Sequence, residues 1–307
     1  MRVAVCAITY KRPEGLEQML RGLDALTFQG PAPDLTVTIV DNDPQESARA
    51  VCEALGSELS WPLRYETEAR RGIPFARNKA VACVVDDVDF LAFIDDDEFP
   101  MPSWLDELLS VQQEYDADVV TGPVIPEYPN DVPEWIVRGK LFDSQRWPTG
   151  HLVDVAFTNN VLVRTEVFRA MDPIFDERLA LTGGTDSYFF RRAHRAGFSI
   201  VWADDAHVRE WIPKSRTRFR WLVQRAFRTG IGMTIIETGL RPFWWTRVTL
   251  LAKACAWLAI GLAMAVPGLI LGRRLLVSAV RYMAYGAGRI LGMFGARYRE
   301  YRTTHGT

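Results

Sequence analysis

Four acids in a row, Asp95-Asp96-Asp97-Glu98, follow the apolar run Phe90-Leu91-Ala92-Phe93-Ile94. Carboxylates about 4 Å apart repel by about 1 kcal/mol in water and about 4 kcal/mol at an effective dielectric of 20, so such a cluster at a strand end calls for a counter-charge. A divalent cation supplies one. Mg²⁺ takes one or two protein carboxylates and completes its shell with substrate phosphates. In an extended chain Asp95 and Asp97 point to one side and Asp96 to the other. An acidic turn capping the helix that starts at Pro102-Ser103-Trp104 accounts for the same acids. Two later places carry groups suited to similar chemistry. Leu181-Thr182-Gly183-Gly184-Thr185-Asp186 opens a helical segment with Thr185 as its cap and Asp186 in the first turn, where the helix dipole favours an anion. Capping alone also explains that pair. Asp204-Asp205-Ala206-His207 offers His207 either as a metal ligand or as a structural histidine.

These groups need a scaffold, and the pattern around them supplies one. Val3 to Ile8 reads as a buried strand, and Pro13 opens a helix with Leu16, Met19, Leu20 and Leu23 at helical spacing. Leu35 to Val40 is a second strand, followed by a helix through Val51 and Leu55. Pro62 to Tyr65 is a weaker third strand, and Gly72-Ile73-Pro74-Phe75-Ala76-Arg77-Asn78-Lys79 leads into another helix before the acid-ended strand. Asp118 to Val124, Phe157 to Val163 with its amides Asn159 and Asn160, and Phe198 to Ala203 read as further strands. The Pro- and Trp-rich stretch from Pro126 to Pro148 reads as a mobile acceptor loop. Alternating strands and helices predict an α/β sandwich with a mixed, mostly parallel sheet. Ligands of such sheets bind at the carboxyl ends of strands. Thr9-Tyr10-Lys11-Arg12, Asp41-Asn42-Asp43 and Asp95 to Glu98 all fall at such ends, which favours one shared nucleotide pocket. No glycine-rich dinucleotide fingerprint or Walker loop accompanies them, so the phosphates need another holder.

The 307 residues, 48% hydrophobic, suffice for one large domain or one and a half, with a core that needs no staples. Four cysteines without metal-like spacing argue against a disulfide framework or thiolate site and fit a reducing compartment. Met1 to Ile8 reads directly as a strand rather than as a secretory signal. The net charge of −2 hides an asymmetry: residues 209–307 hold 17 Lys and Arg against 3 acids, and residues 1–208 hold 19 against 35. The arginines of the basic part flank long apolar runs, which suits an anionic membrane surface rather than nucleic acid.

Five motifs in order resemble those of the family 2 glycosyltransferases of the GT-A fold, and among them the bacterial exopolysaccharide enzymes of the succinoglycan type. They are Thr9-Tyr10-Lys11-Arg12-Pro13, Val40-Asp41-Asn42, Gly72 to Asn78, Phe93 to Glu98, and Gly183-Gly184-Thr185-Asp186. The resemblance runs from about Arg2 to Gly230. It implies Thr9, Tyr10 and Arg12 at the nucleotide rim, Asp41 at the base, Arg77 near the diphosphate, Asp95 at the ribose with Asp96 beside it, and Asp97 on a divalent cation, Mg²⁺ or Mn²⁺. His207 is a further candidate ligand. Asp186 resembles the family's catalytic base, although Thr185 stands where an acid is common. Asn160, Thr185, Trp211 and Arg216 are candidates for the acceptor or diphosphate side. Thr217-Arg218-Phe219-Arg220-Trp221 lacks the glutamine of the processive Gln-x-x-Arg-Trp signature, which favours single addition over polymerisation.

The reaction so implied is inverting transfer of one sugar from a nucleotide-diphosphate sugar, UDP-sugar first, to a saccharide acceptor on a polyprenyl carrier, in cell-surface polysaccharide biosynthesis. A non-catalytic nucleotide-sugar sensor or scaffold is the alternative. Residues 1–212 form the catalytic domain, with a nucleotide-sugar half at about 1–117 and an acceptor half at about 118–212; residues 213–307 form a basic, apolar helical region. Ala254 to Leu271 is uncharged over 18 positions, about 27 Å as a helix, and Pro267-Gly268 interrupts it. Arginines stand on both sides: Arg241 and Arg247 before, Arg273, Arg274, Arg281, Arg297, Arg299 and Arg302 after. A single crossing would strand one group outside, against the positive-inside tendency. Helices in the cytoplasmic membrane interface, or a shallow re-entrant hairpin, are therefore expected, with a buried pair packed on the globule or on a second copy as the alternative.

Overall fold

The computed structural model describes residues 1–180, 183–241 and 243–297. Leu181 and Thr182 of the glycine motif, and Arg299 and Arg302 of the tail, lie outside the described residues. The elements begin β1 (Arg2–Thr9), α1 (Pro13–Asp24), β2 (Asp34–Asp41), α2 (Arg49–Leu55), β3 (Leu63–Thr67), α3 (Ile73–Val84), β4 (Phe90–Ile94), β5 (Glu98–Pro100), α4 (Trp104–Tyr115) and β6 (Val119–Thr121). They continue β7 (Val124–Glu127), α5 (Glu134–Val137), β8 (Asn160–Arg164), α6 (Thr165–Arg169), α7 (Thr185–Arg195), β9 (Ile200–Trp202), β10 (Val208–Trp211), α8 (Phe219–Leu240), α9 (Trp244–Leu271) and α10 (Arg273–Met293).

Seven strands form one sheet in the order β3-β2-β1-β4-β8-β6-β9. β1 to β4 are parallel, β8 runs antiparallel between β4 and β6, and β6 pairs parallel with β9. The sheet is mixed and mostly parallel, as the alternating pattern predicts. Strands covered on both faces need apolar side chains throughout, which is why β4 reads as an unbroken apolar run. Leu16 and Met19 of α1 and Trp104 and Leu108 of α4 cover one face; Ala76 and Ala80 of α3 cover the other, with Phe93, Phe168, Phe175 and Phe189. Phe189 of α7 stacks on Phe168 at 5.4 Å and meets Phe175 at 4.9 Å, which seats the helix bearing Asp186 against the sheet.

A second, three-stranded sheet, β5-β10-β7, sets Glu210 opposite Glu98. The single strand expected over Asp118 to Val124 is thus two, one in each sheet. The break falls at Gly122-Pro123, where a Cβ on Gly122 would lie 2.6 Å from Ala206 O and 2.9 Å from Ala203 O. Asn160, expected on the acceptor side, is the clamp of this junction. It is fully buried; its Oδ1 accepts from Trp104 Nε1 at 2.8 Å, and its Nδ2 donates to Pro123 O at 3.0 Å and Ala206 O at 2.7 Å. An Asn160→Leu variant should lose about 3 kcal/mol of unfolding free energy in a denaturant titration, because three bonds go and three buried partners are left unmet. A loss below about 0.5 kcal/mol would contradict that role.

The stretch from Pro126 to Pro148, expected to be a mobile loop, carries the short α5 and docks on the C-terminal helices. Trp135, Leu141 and Phe142 pack against Trp221, Leu222 and Val277, with Phe142 stacked on Trp221 at 5.9 Å. Its aromatic content, read as irregularity, is what anchors it. In the tail, α9 and α10 form a hairpin whose contacts run Ala254 to Gly286, Gly261 to Ala279 and Gly268 to Leu276, with small residues allowing close approach. The expected interruption at Pro267-Gly268 does not occur: α9 continues to Leu271, and the chain reverses at Gly272, where φ is +105°. Arg289 of α10 turns inward. It is 3% exposed and binds Glu237 of α8 at 2.8 Å. The α9 apolar stretch is not buried against the globule, since only 17% of it is covered by the described chain.

Candidate active site

The carboxyl ends of β1, β2 and β4 lie side by side and open into a cavity of about 310 Å³. Thr9, Tyr10 and Arg12 reach it from the end of β1, Asn42 from β2, and Asp95 to Asp97 from β4. Arg71, Gly72 and Arg77 approach from the start of α3, and Glu210 and Arg216 from β10 and the loop after it. Trp221, Arg225 and Arg228 of α8 close the remaining side.

The chain turns immediately after Ile94, so the extended alternation expected of the acids fails. Asp96 and Asp97 share one guanidinium: Arg12 Nη1 lies 2.9 Å from Asp96 Oδ1 and 3.0 Å from Asp97 Oδ2. Thr9 Oγ1 donates to the other Asp96 oxygen at 2.7 Å. Asp97 Oδ2 also lies 3.2 Å from Arg216 Nη2, and Arg216 Nη1 holds Glu210 at 2.6 Å. Asp95 faces Arg77, whose Nη2 is 3.6 Å away. Arg77 also reaches the start of α7: its Nη1 donates to Thr185 Oγ1 at 3.3 Å and lies 4.0 Å from Asp186 Oδ2. Glu98 begins β5 rather than a turn, and its Oε2 accepts from Asp95 N at 3.1 Å. None of these acids caps α4, whose N-cap Ser103 makes no side-chain cap bond.

The cluster is short of positive charge. Burial, helped by Asp97 and Asp95 and opposed by Arg12 and Thr9, raises the Asp96 carboxyl to about 7. Partial burial in the cavity, with Asp97 and Asp186 adding to it against Arg77, raises Asp95 to about 6. Burial and the neighbouring Asp95, Glu210 and Asp97 push Glu98 well above the ordinary carboxylate range.

The family model for Glycosyl transferase family 2 matches residues 4–172, more than half of the chain, β1 to β4 and the acid cluster among them. The chain belongs to glycosyl transferase family 2. This family 2 chain is 33% identical over 305 residues to the succinoglycan biosynthesis protein ExoM of Rhizobium meliloti, covering 97% of the chain and 94% of that relative. It is 24% identical to a glucosyl-dolichyl phosphate glucuronosyltransferase of Haloferax volcanii, over 76% of each. Among solved structures it matches the Pyrobaculum calidifontis mannosyltransferase PcManGT in complex with GDP-Man and Mn²⁺, with a TM-score of 0.57, 18% identity, and 94% and 86% of the two chains covered. S. aureus TarS 1–349 in complex with UDP-GlcNAc matches with a TM-score of 0.55, 15% identity, and 97% and 93% covered. Both likenesses establish the GT-A fold.

A divalent cation fits the family 2 chain in one specific way. Among the described residues no three acids, histidines or cysteines converge as a self-sufficient metal cage. Asp97 presents a hard carboxylate to the cavity, Asp95 stands beside it, and both Asp96 oxygens are already taken by Thr9 and Arg12. A site of one or two carboxylates suits an ion that takes its other ligands from a diphosphate.

Several expected residues lie elsewhere. Asp41 is fully buried and turns inward: its oxygens accept from Asp43 N at 2.9 Å, Ala48 N at 2.8 Å and the Tyr65 hydroxyl at 3.0 Å. Its neighbour Asn42 lines the cavity instead, and pins the loop ahead of α3 through Glu68 O, Arg70 O and Gly72 N, each at 2.8 Å. His207 does not join the acids; its Nε2 lies 3.2 Å from Arg146 Nη2, which belongs to the Asp204 pair. Strand β10 starts at the next residue and presents Glu210 to the site. Thr185 is not the cap of α7: Gly184 takes that position, and Thr185 serves Arg77. Trp211 is 53% exposed at the end of β10, outside the cavity lining, and the cavity's tryptophan is Trp221. Trp221, Arg225 and Arg228 went unmarked because the basic tail reads as one membrane-facing region; their spacing of four and three was the available signal of a shared helix face.

Proposed function

We infer that the protein is an inverting, non-processive transferase. It moves one sugar from a nucleotide-diphosphate sugar, UDP-sugar first, to a lipid-linked saccharide at the cytoplasmic membrane surface, in cell-surface polysaccharide biosynthesis. The observation that carries the reading is Arg77, which joins the nucleotide-side Asp95 to Asp186 and Thr185 across a span too short to serve two separate sites. The names of the Rhizobium and Haloferax relatives, one a succinoglycan biosynthesis protein and the other acting on a dolichyl phosphate, support the pathway class and the lipid carrier.

In the mechanism Tyr10, Asn42 and Arg71 border the nucleotide, and Asp95 faces its ribose. Asp97 would hold a divalent cation, Mg²⁺ or Mn²⁺, which when bound supplies Lewis-acid stabilisation of the leaving diphosphate. Arg12 fixes Asp96 and Asp97 relative to each other, and Arg216 fixes Asp97 from the far side. Arg77 lies between Asp95 and Asp186, where its charge steadies the developing negative charge. Asp186 accepts the proton of the attacking acceptor hydroxyl. Attack from the face opposite the departing diphosphate inverts the anomeric centre. Thr217, at the position of the processive signature's glutamine, turns its hydroxyl to Lys214 O at 2.9 Å, consistent with single addition.

The reading is tested by nucleotide release from a panel of nucleotide sugars, with and without extracted lipid-linked saccharides. One donor should be turned over well above the rest and faster with acceptor. Release no greater than that of heat-inactivated protein would leave the sensor reading in its place.

The tail supports a membrane-surface position. Helix α9 is long and apolar enough to cross a bilayer by length and composition, and Trp244, Trp245, Leu262, Leu269 and Ile270 are exposed along it. Arg247 stands in its first turn, and Arg273 and Arg274 follow its end, so both ends carry positive charge. Interfacial embedding of the α9–α10 hairpin keeps both ends on the cytoplasmic side. Carbonate washing of membranes should therefore release the protein, whereas retention in the pellet would identify α9 as a true span.

A further inference from the structure

Arg77 stands on α3, Asp95 follows β4 and Asp186 opens α7, so the 3.6 Å and 4.0 Å spacings between them depend on how three separate elements meet. Beneath the guanidinium lies Phe175. This ring is fully buried and touches all three elements. The Arg77 guanidinium stands 5.8 Å over it; Phe93, two residues before Asp95, meets it edge-on at 5.9 Å; and Phe189, three residues after Asp186, lies at 4.9 Å.

Phe175 itself belongs to none of those elements. It lies in the loop between α6 and α7, and a loop needs fastening before it can serve as a fixed reference. Asn78, the residue after Arg77, fastens it with both ends of its amide: Nδ2 donates to Phe175 O at 2.9 Å, and Oδ1 accepts from Phe175 N at 3.0 Å. Arg192 of α7 grips the same loop from the other side, donating to Asp172 O at 2.8 Å and Pro173 O at 2.6 Å. One amide that meets both the N–H and the C=O of a single residue fixes that residue's backbone in place and in rotation. Asn78 and Phe175 both lie outside the cavity lining.

We propose that Asn78, acting through Phe175, is a positioning residue for sugar transfer: it holds the ring against which Arg77, Asp95 and Asp186 are set at their working separations. The inference rests on the sugar-transfer reading above. Plain loop fastening accounts for the same two bonds and makes a different forecast. Fastening that matters only to folding changes the amount of active protein. A positioning contact changes the rate of each folded site, because a displacement of about 1 Å between reacting groups can cost on the order of 10²-fold.

The test is transfer by the full-length protein from the best-used member of the nucleotide-sugar panel to extracted lipid-linked saccharides. The rate is expressed per nucleotide-binding site, counted by calorimetric titration with UDP or GDP, whichever binds, so that unfolded protein drops out of the comparison. Asn78→Ala should lower kcat about tenfold or more while nucleotide affinity and donor KM stay within about twofold. Phe175→Leu keeps the backbone bonds to Asn78 and an apolar side chain but removes the aromatic face under Arg77, and it should lower kcat by a similar factor. The double variant should lose little more than the worse single variant, since both act through one contact. Where Asn78→Ala yields no binding sites, Phe175→Leu decides by the same measures. An unchanged kcat per site would overturn the proposal and leave loop fastening. Losses that multiply in the double variant would overturn it by giving the two residues independent roles, and a fall in nucleotide affinity equal to the fall in kcat would overturn it by assigning Asn78 to donor binding. Wild-type protein that turns over no donor would remove the sugar-transfer reading and this inference with it, whereas wild-type turnover beside an unchanged Asn78→Ala removes the inference alone.

Discussion

Asp186→Asn should lower sugar transfer about 10³-fold while leaving nucleotide affinity within about twofold, in the range expected when a general base is removed. The substitution is a clean one. Asp186 Oδ1 accepts from Ser187 N at 2.7 Å in the first turn of α7, and an asparagine oxygen can accept the same bond. The helix start, the Phe189 stack beneath it and the Arg77–Thr185 bond should therefore persist. What disappears is the negative charge 4.0 Å from Arg77 and the capacity to take a proton. Capping alone, the plainer account of this residue, makes the opposite forecast, because Asn caps as well as Asp. A variant keeping more than about a tenth of wild-type transfer would restore the capping account.

The second large effect is expected at Asp97. Asp97→Asn, or chelation with EDTA, should lower transfer by on the order of 10²-fold or more, since stabilisation of a leaving diphosphate is worth several kcal/mol. Mn²⁺ or Mg²⁺ added back should restore the chelated wild type and not the variant. Asp97 is tied to Arg12 and Arg216, so its loss leaves those guanidiniums held by Asp96 and Glu210 alone. The variant therefore tests cation binding against simple charge balance. If Arg12 and Arg216 alone served the diphosphate, nucleotide would bind Asp97→Asn as well or better, without any metal requirement. Activity that survives EDTA in the wild type would remove the cation from the mechanism.

The scaffold was legible wherever burial on two faces forces a pattern. β4 had to be apolar throughout and β1 and β2 largely so, and the polar ends of all three marked the cavity rim before any contact was known. Direction of side chains was not legible at those ends. The alternation rule fails at Asp95 to Asp97 because the chain turns there, and it exchanges Asp41 and Asn42 because Asp41 is needed to close its own loop onto Ala48. Asn160 and His207 looked functional as polar residues near strand ends, but both are consumed by internal bonding that only the crossing of two sheets creates. The largest omission, the Trp221–Arg225–Arg228 face, came from treating the tail by composition. Charge asymmetry separates residues 209–307 from the rest, yet the first turns of α8 return to the site.

The proposed reading is a single displacement, with the leaving diphosphate at Asp97 and the proton acceptor at Asp186 on the other side of Arg77. The measurement that bears on this most directly is the anomeric configuration of the product, read by proton NMR from the coupling of the transferred sugar's anomeric hydrogen. An α-linked nucleotide sugar should yield a β-linked saccharide. An α-linked product would contradict the account, because retention requires either two displacements or a same-face path that leaves Asp186 without a role.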